Sequence, residues 1–148
     1  MKKLAIITLL ATVAGLASAA DVGVRFNHNG GNNTSGFGIT VGQKFGSLGV
    51  DLAADRSAVA STDVNRFSLV GSYDLANVYG VTVAAKAGAA FIDAEGQKHG
   101  GALLGGIGAS YTVTKKINLV ADYAYQQGQD RVRTWNGNTV SAGVKYSF

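Results

Sequence analysis

The stretch Thr139-Val140-Ser141-Ala142-Gly143-Val144-Lys145-Tyr146-Ser147-Phe148 alternates apolar with polar or small residues down to the last residue of the chain. Successive side chains of a strand point to opposite faces, so Val140, Ala142, Val144, Tyr146 and Phe148 form one apolar stripe opposite Ser141, Gly143, Lys145 and Ser147. The same period of two runs upstream. Val22, Val24 and Phe26 oppose Gly23, Arg25 and Asn27; Phe37, Ile39 and Val41 oppose Gly38, Thr40 and Gly42; Leu48, Val50 and Leu52 oppose Gly49, Asp51 and Ala53. Phe67, Leu69 and Tyr73 continue it, then Val81 to Phe91, Leu103 to Val113 and Ile117 to Tyr125. Eight strands are predicted.

At the other end, Lys2 and Lys3 precede an apolar run from Leu4 to Leu16 and the small residues Ala17-Ser18-Ala19-Ala20. This is the pattern of a secretory signal peptide with cleavage after Ala19 or Ala20, and residues 1–20 are set aside from the fold. A retained amino-terminal anchor is the competing reading, but the run is short for a spanning helix. Residues 21–148 are expected to form one domain. The chain of 148 residues has 21 glycines, no proline and no cysteine, so neither a disulfide framework nor a lipid-attachment cysteine is expected. Its formal charge of +4 falls to +2 once Lys2 and Lys3 leave, and no arginine-rich tract suggests a nucleic-acid partner. After residue 20 no uncharged apolar stretch approaches the roughly 18 residues of a membrane-spanning helix.

Strands can cross a membrane where helices do not. Each run suits a tilted membrane strand of about 9 to 11 residues, and an even number lets strands one and eight pair and close the sheet. The connections after strands one, three, five and seven read as polar and longer, around Asn29 to Thr34, Arg56 to Asn65, Asp93 to Gly100 and Gln127 to Asn138. Those after strands two, four and six read as brief: Gly46-Ser47, Ala76 to Gly80 and Thr114 to Lys116. A soluble sandwich or a lipocalin-like barrel would keep its bulky residues inside. Here the small and charged face holds too little apolar volume for a dry core, which assigns the bulky face to lipid. Phe26, Phe37, Phe67, Phe91 and Tyr125 gather toward one rim and Phe45, Tyr73, Tyr111, Tyr146 and Phe148 toward the other, as interfacial girdles do.

With these features the chain resembles the small eight-stranded outer-membrane barrels grouped around outer-membrane protein X, the opacity proteins and the transmembrane domain of outer-membrane protein A. The resemblance rests on the leader, the strand number, the alternation of long and short connections, and Tyr146-Ser147-Phe148. It implies an all-β, eight-stranded antiparallel up-and-down transmembrane β-barrel, exported and resident in the bacterial outer membrane. It further implies that Tyr146 and Phe148 serve as an assembly signal, with periplasmic chaperones and the barrel-assembly machinery as partners. Outer-membrane lipid and lipopolysaccharide would surround the barrel, which is expected to be a monomer. No peptidoglycan-binding domain is expected after it.

Parity places Arg25, Lys44, Asp51, Asp55, Arg66, Asp74, Lys86, Asp122 and Lys145 on the inward face, five positive and four negative charges. An eight-stranded interior is just wide enough to be filled by side chains, and unpaired ions there are costly, so a lumenal salt-bridge network is expected. Lys44 with Asp51, and Asp122 with Lys145 or Arg25, are the pairs suggested by adjacency. The alternative is a narrow, low-conductance porin, with the glycines at 42, 49, 88, 106, 108 and 143 leaving room.

Enzymatic chemistry has little to build on. Some barrels of this size modify lipid A with a serine and a histidine, and that requires an activated hydroxyl, a base and a group to orient the base. His28 falls at the end of strand one on the lipid-facing side, within approach of Ser35 or Ser57; His99 falls in a loop. No catalytic residue, metal ligand set or cofactor site is predicted. The glycine-rich run from Gly100 to Gly108 lacks the Lys-Ser/Thr of a phosphate loop. Arg131, Arg133 and Trp135 in the last loop form a cationic, aromatic tip and are the candidates for contact with lipopolysaccharide phosphates or an external ligand.

Overall fold

The computed structural model describes residues 20–31, 33–59, 62–94, 99–129 and 136–148; of residues 58, 59, 62, 63 and 94 it describes the backbone alone. Nearly all of the predicted leader and the loop candidates Arg131, Arg133 and Trp135 lie outside the described residues.

Eight strands follow one another: β1 (Ala20–Asn29), β2 (Thr34–Phe45), β3 (Leu48–Val59), β4 (Thr62–Val78), β5 (Val81–Ala94), β6 (Gly100–Thr114), β7 (Ile117–Gly128) and β8 (Gly137–Ser147). Each pairs antiparallel with the next, and β8 returns to β1 through Asp21 opposite Ser147 to Asn29 opposite Thr139, so the sheet closes into a barrel. Closure removes the two edges that an open sheet would expose, and pairs their backbone groups without water.

The burial pattern is inside out. Phe37 is 73% exposed and Leu69 52%, whereas Asp55 is 4% exposed. A water-soluble barrel would place these the other way round. Phe26 faces Phe37 across β1 and β2, ring centres 5.3 Å apart and edge to face, and Phe67 faces Phe91 across β4 and β5, two aromatic pairs in the loop-end half of the wall. From Val81 to Phe91 the outward face is apolar; ten steps of about 3.3 Å, reduced by a strand tilt of about 40°, give a height of roughly 25 Å. That matches the apolar band of outer-membrane barrels.

Several strand ends differ from the sequence reading. The stretch from Arg56 to Asn65, read as a long polar loop, is mostly strand: Arg56 pairs with Asn65 and Ser57 with Val64, leaving only residues 60–61 between β3 and β4. Likewise Asp93 and Gly100 lie inside β5 and β6, and the turn read from Ala76 to Gly80 shrinks to Tyr79-Gly80 because β4 continues to Val78 past a register shift at Asp74/Ala76. The physical reason is that backbone hydrogen bonding extends a hairpin wherever the two chains stay adjacent, whether or not the side chains alternate in polarity. Connections after β1, β5 and β7 remain longer than those after β2, β4 and β6. The end bearing the former is the loop end below, and the other the turn end.

Candidate functional site

The inward face places Asp55 of β3 near the loop end, its side chain 1% exposed. Both of its oxygens are fully used. Oδ1 accepts from Arg25 Nε at 2.8 Å and Asn27 Nδ2 at 2.9 Å; Oδ2 accepts from Arg25 Nη2 at 2.6 Å and Arg66 Nε at 3.0 Å. Arg25 therefore grips the carboxylate with two parallel bonds, the strongest geometry available to the pair. Arg66 extends the cluster by donating from Nη1 to Gln126 Oε1 at 3.1 Å, so side chains of β1, β3, β4 and β7 meet across the lumen. Above them toward the loop end sit Val64, 2% exposed, and Ile92 and Gln126, each 1% exposed, beside buried Asn27, Asn29 and Thr139.

Toward the turn end Lys145 Nζ lies 2.5 Å from Asp51 Oδ1 and 3.0 Å from Asp21 Oδ1; Lys86 Nζ lies 2.5 Å from Asp122 Oδ1; and Lys44 Nζ lies 2.5 Å from Asp74 Oδ2. All nine charges expected on the inward face thus lie in contact with an opposite charge, but two suggested pairings are replaced. Lys44 reaches Asp74 rather than Asp51, and Asp122 takes Lys86 rather than Lys145 or Arg25. Asp51 is claimed instead from β8, across the lumen. Strand tilt sets which residues share a height inside the barrel, and a partner three strands away can be nearer than a diagonal neighbour in the same hairpin. Asp21 was missed by the sequence reading; its position on the same parity as Gly23 and Arg25 is the signal that would have found it. With Asp21 the two signs balance, five against five.

Glycines make this network fit. Gly38 is register partner to both Arg25 and Asp55, Gly42 to both Asp21 and Asp51, Gly108 to Asp122 and Gly106 to Lys86. A Cβ at Gly38 would overlap Asp55 Oδ1, and one at Gly42 would overlap Asp51 Oδ1. The room beside Gly38, Gly42 and Gly108 is taken by the carboxylates of Asp55, Asp51 and Asp122. Gly38→Ala is expected to push Asp55 off its arginines and to cost about 1–3 kcal/mol, within the range for overpacked interiors, in urea unfolding of the reconstituted barrel; an unchanged midpoint would show that the carboxylate has slack. Cavities remain below Asp55: one of about 60 Å³ touches Arg25, Arg66, Lys86 and Lys145, and one of about 210 Å³ toward the turn end is lined by Asp21, Lys44, Asp74 and Asn118 among others.

On the outer surface His28 Nδ1 and Ser35 Oγ stand 2.9 Å apart, a base beside a hydroxyl, above the aromatic ring at the loop end. His99 instead lies against Phe91, ring centres 6.0 Å apart.

A closed barrel of eight strands with its bulky residues outward and its charges paired inside decides the fold. It is the eight-stranded outer-membrane barrel fold. The N-terminal β-barrel domain of OprF from Pseudomonas aeruginosa is similar with a TM-score of 0.74 at 16% identity, over 88% of this chain and 98% of that domain. Neisserial surface protein A gives a TM-score of 0.62 at 23% identity over 87% and 94% of the two chains. The outer-membrane protein Ail of Yersinia pestis, determined in a phospholipid bilayer nanodisc, gives 0.59 at 15% identity over 89% and 100%. No family model and no curated protein matches the sequence. In outer-membrane barrels the longer connections lie outside and the short turns in the periplasm.

Proposed function

We propose that this chain is an integral outer-membrane barrel with a structural or surface-interaction role, exported by its amino-terminal leader, and closed to ions by the charges in its lumen. The observation that carries the reading is the four-strand cluster of Arg25, Asp55, Arg66 and Gln126 beneath the buried Val64 and Ile92. A buried carboxylate holding two guanidinium groups loses several kcal/mol if any partner is withdrawn, so the cluster resists opening for a passing hydrated ion. The proposed role is non-enzymatic, with the His28–Ser35 contact an exposed pair at the loop end. The loop tip with Arg131, Arg133 and Trp135 is the proposed contact for lipopolysaccharide or an external ligand.

A narrow porin is the second reading, favoured by the 210 Å³ cavity with its lining of paired lysines and aspartates. Recording from planar bilayers separates the two. The purified protein, shown to be inserted by its heat-dependent gel mobility, is expected to give no discrete current above baseline. Steady unitary currents that change ion selectivity in Asp51→Asn would establish the pore and remove the closed-lumen reading.

A further inference from the structure

Among the described residues, two adjacent lysines at the turn end lie outside the lumen network. Lys115 and Lys116 form the whole two-residue turn between β6 and β7, and both are exposed. Thr114 Oγ1 accepts from the amides of Lys116 and Ile117 at 3.3 and 3.1 Å, and the Lys116 carbonyl accepts from the Ser147 amide at 2.8 Å. The turn is thereby fixed both to its own strands and to β8. Lys116 Nζ donates to the Tyr146 hydroxyl at 3.2 Å and lies 5.5 Å from the centre of that ring, which Phe148 meets edge to face at 5.3 Å. The other turns at this end, Gly46-Ser47 and Tyr79-Gly80, carry no charge, and Lys44 is committed inward to Asp74.

At the turn end the exposed Tyr73, Tyr79, Tyr111 and Tyr146 each offer a hydroxyl, alongside Phe45 and Phe148, which do not. A phenol at membrane-interface height meets polar headgroups, and an ammonium there is drawn to anionic ones.

We infer that the Lys115–Lys116 turn, with Tyr146, is a docking site for the headgroup of an anionic phospholipid in the periplasmic leaflet. The inference rests on the reading that the barrel spans the outer membrane with this turn in the periplasm. Lys115 and Lys116 present two ammonium groups on a fixed backbone to one phosphate, and the Tyr146 hydroxyl positions the second of them. A basic residue near an anionic surface favours association about fivefold, so two acting on one headgroup favour it by roughly five- to twenty-five-fold over a zwitterionic lipid.

Native mass spectrometry of the detergent-solubilised barrel, titrated with phosphatidylglycerol or phosphatidylcholine, reads the ratio of the two affinities for the first bound lipid. A ratio of five or more is expected in the wild type, falling close to one in the double variant Lys115→Gln with Lys116→Gln and to an intermediate value in Tyr146→Phe. Equal affinities in the wild type, or a preference undiminished in the double variant, would overturn the site. Loss of the preference in millimolar inorganic phosphate would also overturn it, making this a site for soluble anions. Heat-dependent mobility after insertion into pure phosphatidylcholine bilayers tests the membrane reading separately: a barrel that inserts but shows no lipid preference removes only the site.

Discussion

Asp55→Asn is expected to destabilise the folded barrel by about 3–5 kcal/mol, the cost of breaking a buried ion pair by removing one partner. The asparagine keeps the volume and one carbonyl acceptor but loses the charge that neutralises both Arg25 and Arg66, and its amide would point a donor at donors. Two guanidinium groups would be left facing each other beneath the buried Val64 and Ile92. Urea titration of the barrel in phospholipid vesicles measures the effect as a lower unfolding midpoint. The triple variant Arg25→Met, Asp55→Leu, Arg66→Met is expected to recover most of the loss, because an apolar replacement of a whole buried cluster is often neutral. A neutral Asp55→Asn would mean that water solvates these arginines, and the lumen would then have to be regarded as open.

On the outside, Ala87→Arg is expected to cost about 2–4 kcal/mol in the same vesicles, whereas Gln127→Arg, near the loop-end rim, is expected to cost about 0–1. Ala87 lies at mid-height of β5, register partner of Gly71 on β4 and Gly105 on β6, so no neighbouring polar group or headgroup is within easy reach of a guanidinium placed there. The gradient from belt centre to rim is the property of a lipid-facing wall. If the two substitutions cost the same, this face does not meet hydrocarbon, and the inside-out burial of Phe37 and Leu69 would need another partner to cover it.

Strand number and closure were legible because side chains alternate with an unvarying period and the bulky set stays on one face over every run. Phe26 and Phe37, read as one rim, do stand side by side. Strand ends were less legible. Arg56 and Asn65 look like loop residues by polarity, yet they pair, because the ladder is held by backbone groups that do not depend on side-chain character.

The sequence by itself assigned residues to a side of the wall: parity alone set Arg25, Lys44, Asp51, Asp55, Arg66, Asp74, Lys86, Asp122 and Lys145 together, opposite the bulky residues. Only the tertiary structure decided who pairs with whom. Lys145 belongs to Asp51 and Asp21, Lys44 to Asp74 and Lys86 to Asp122, since tilt and closure bring distant strands to one height inside the barrel. A period of two fixes a direction within each strand, but height and facing partner are properties of the closed sheet.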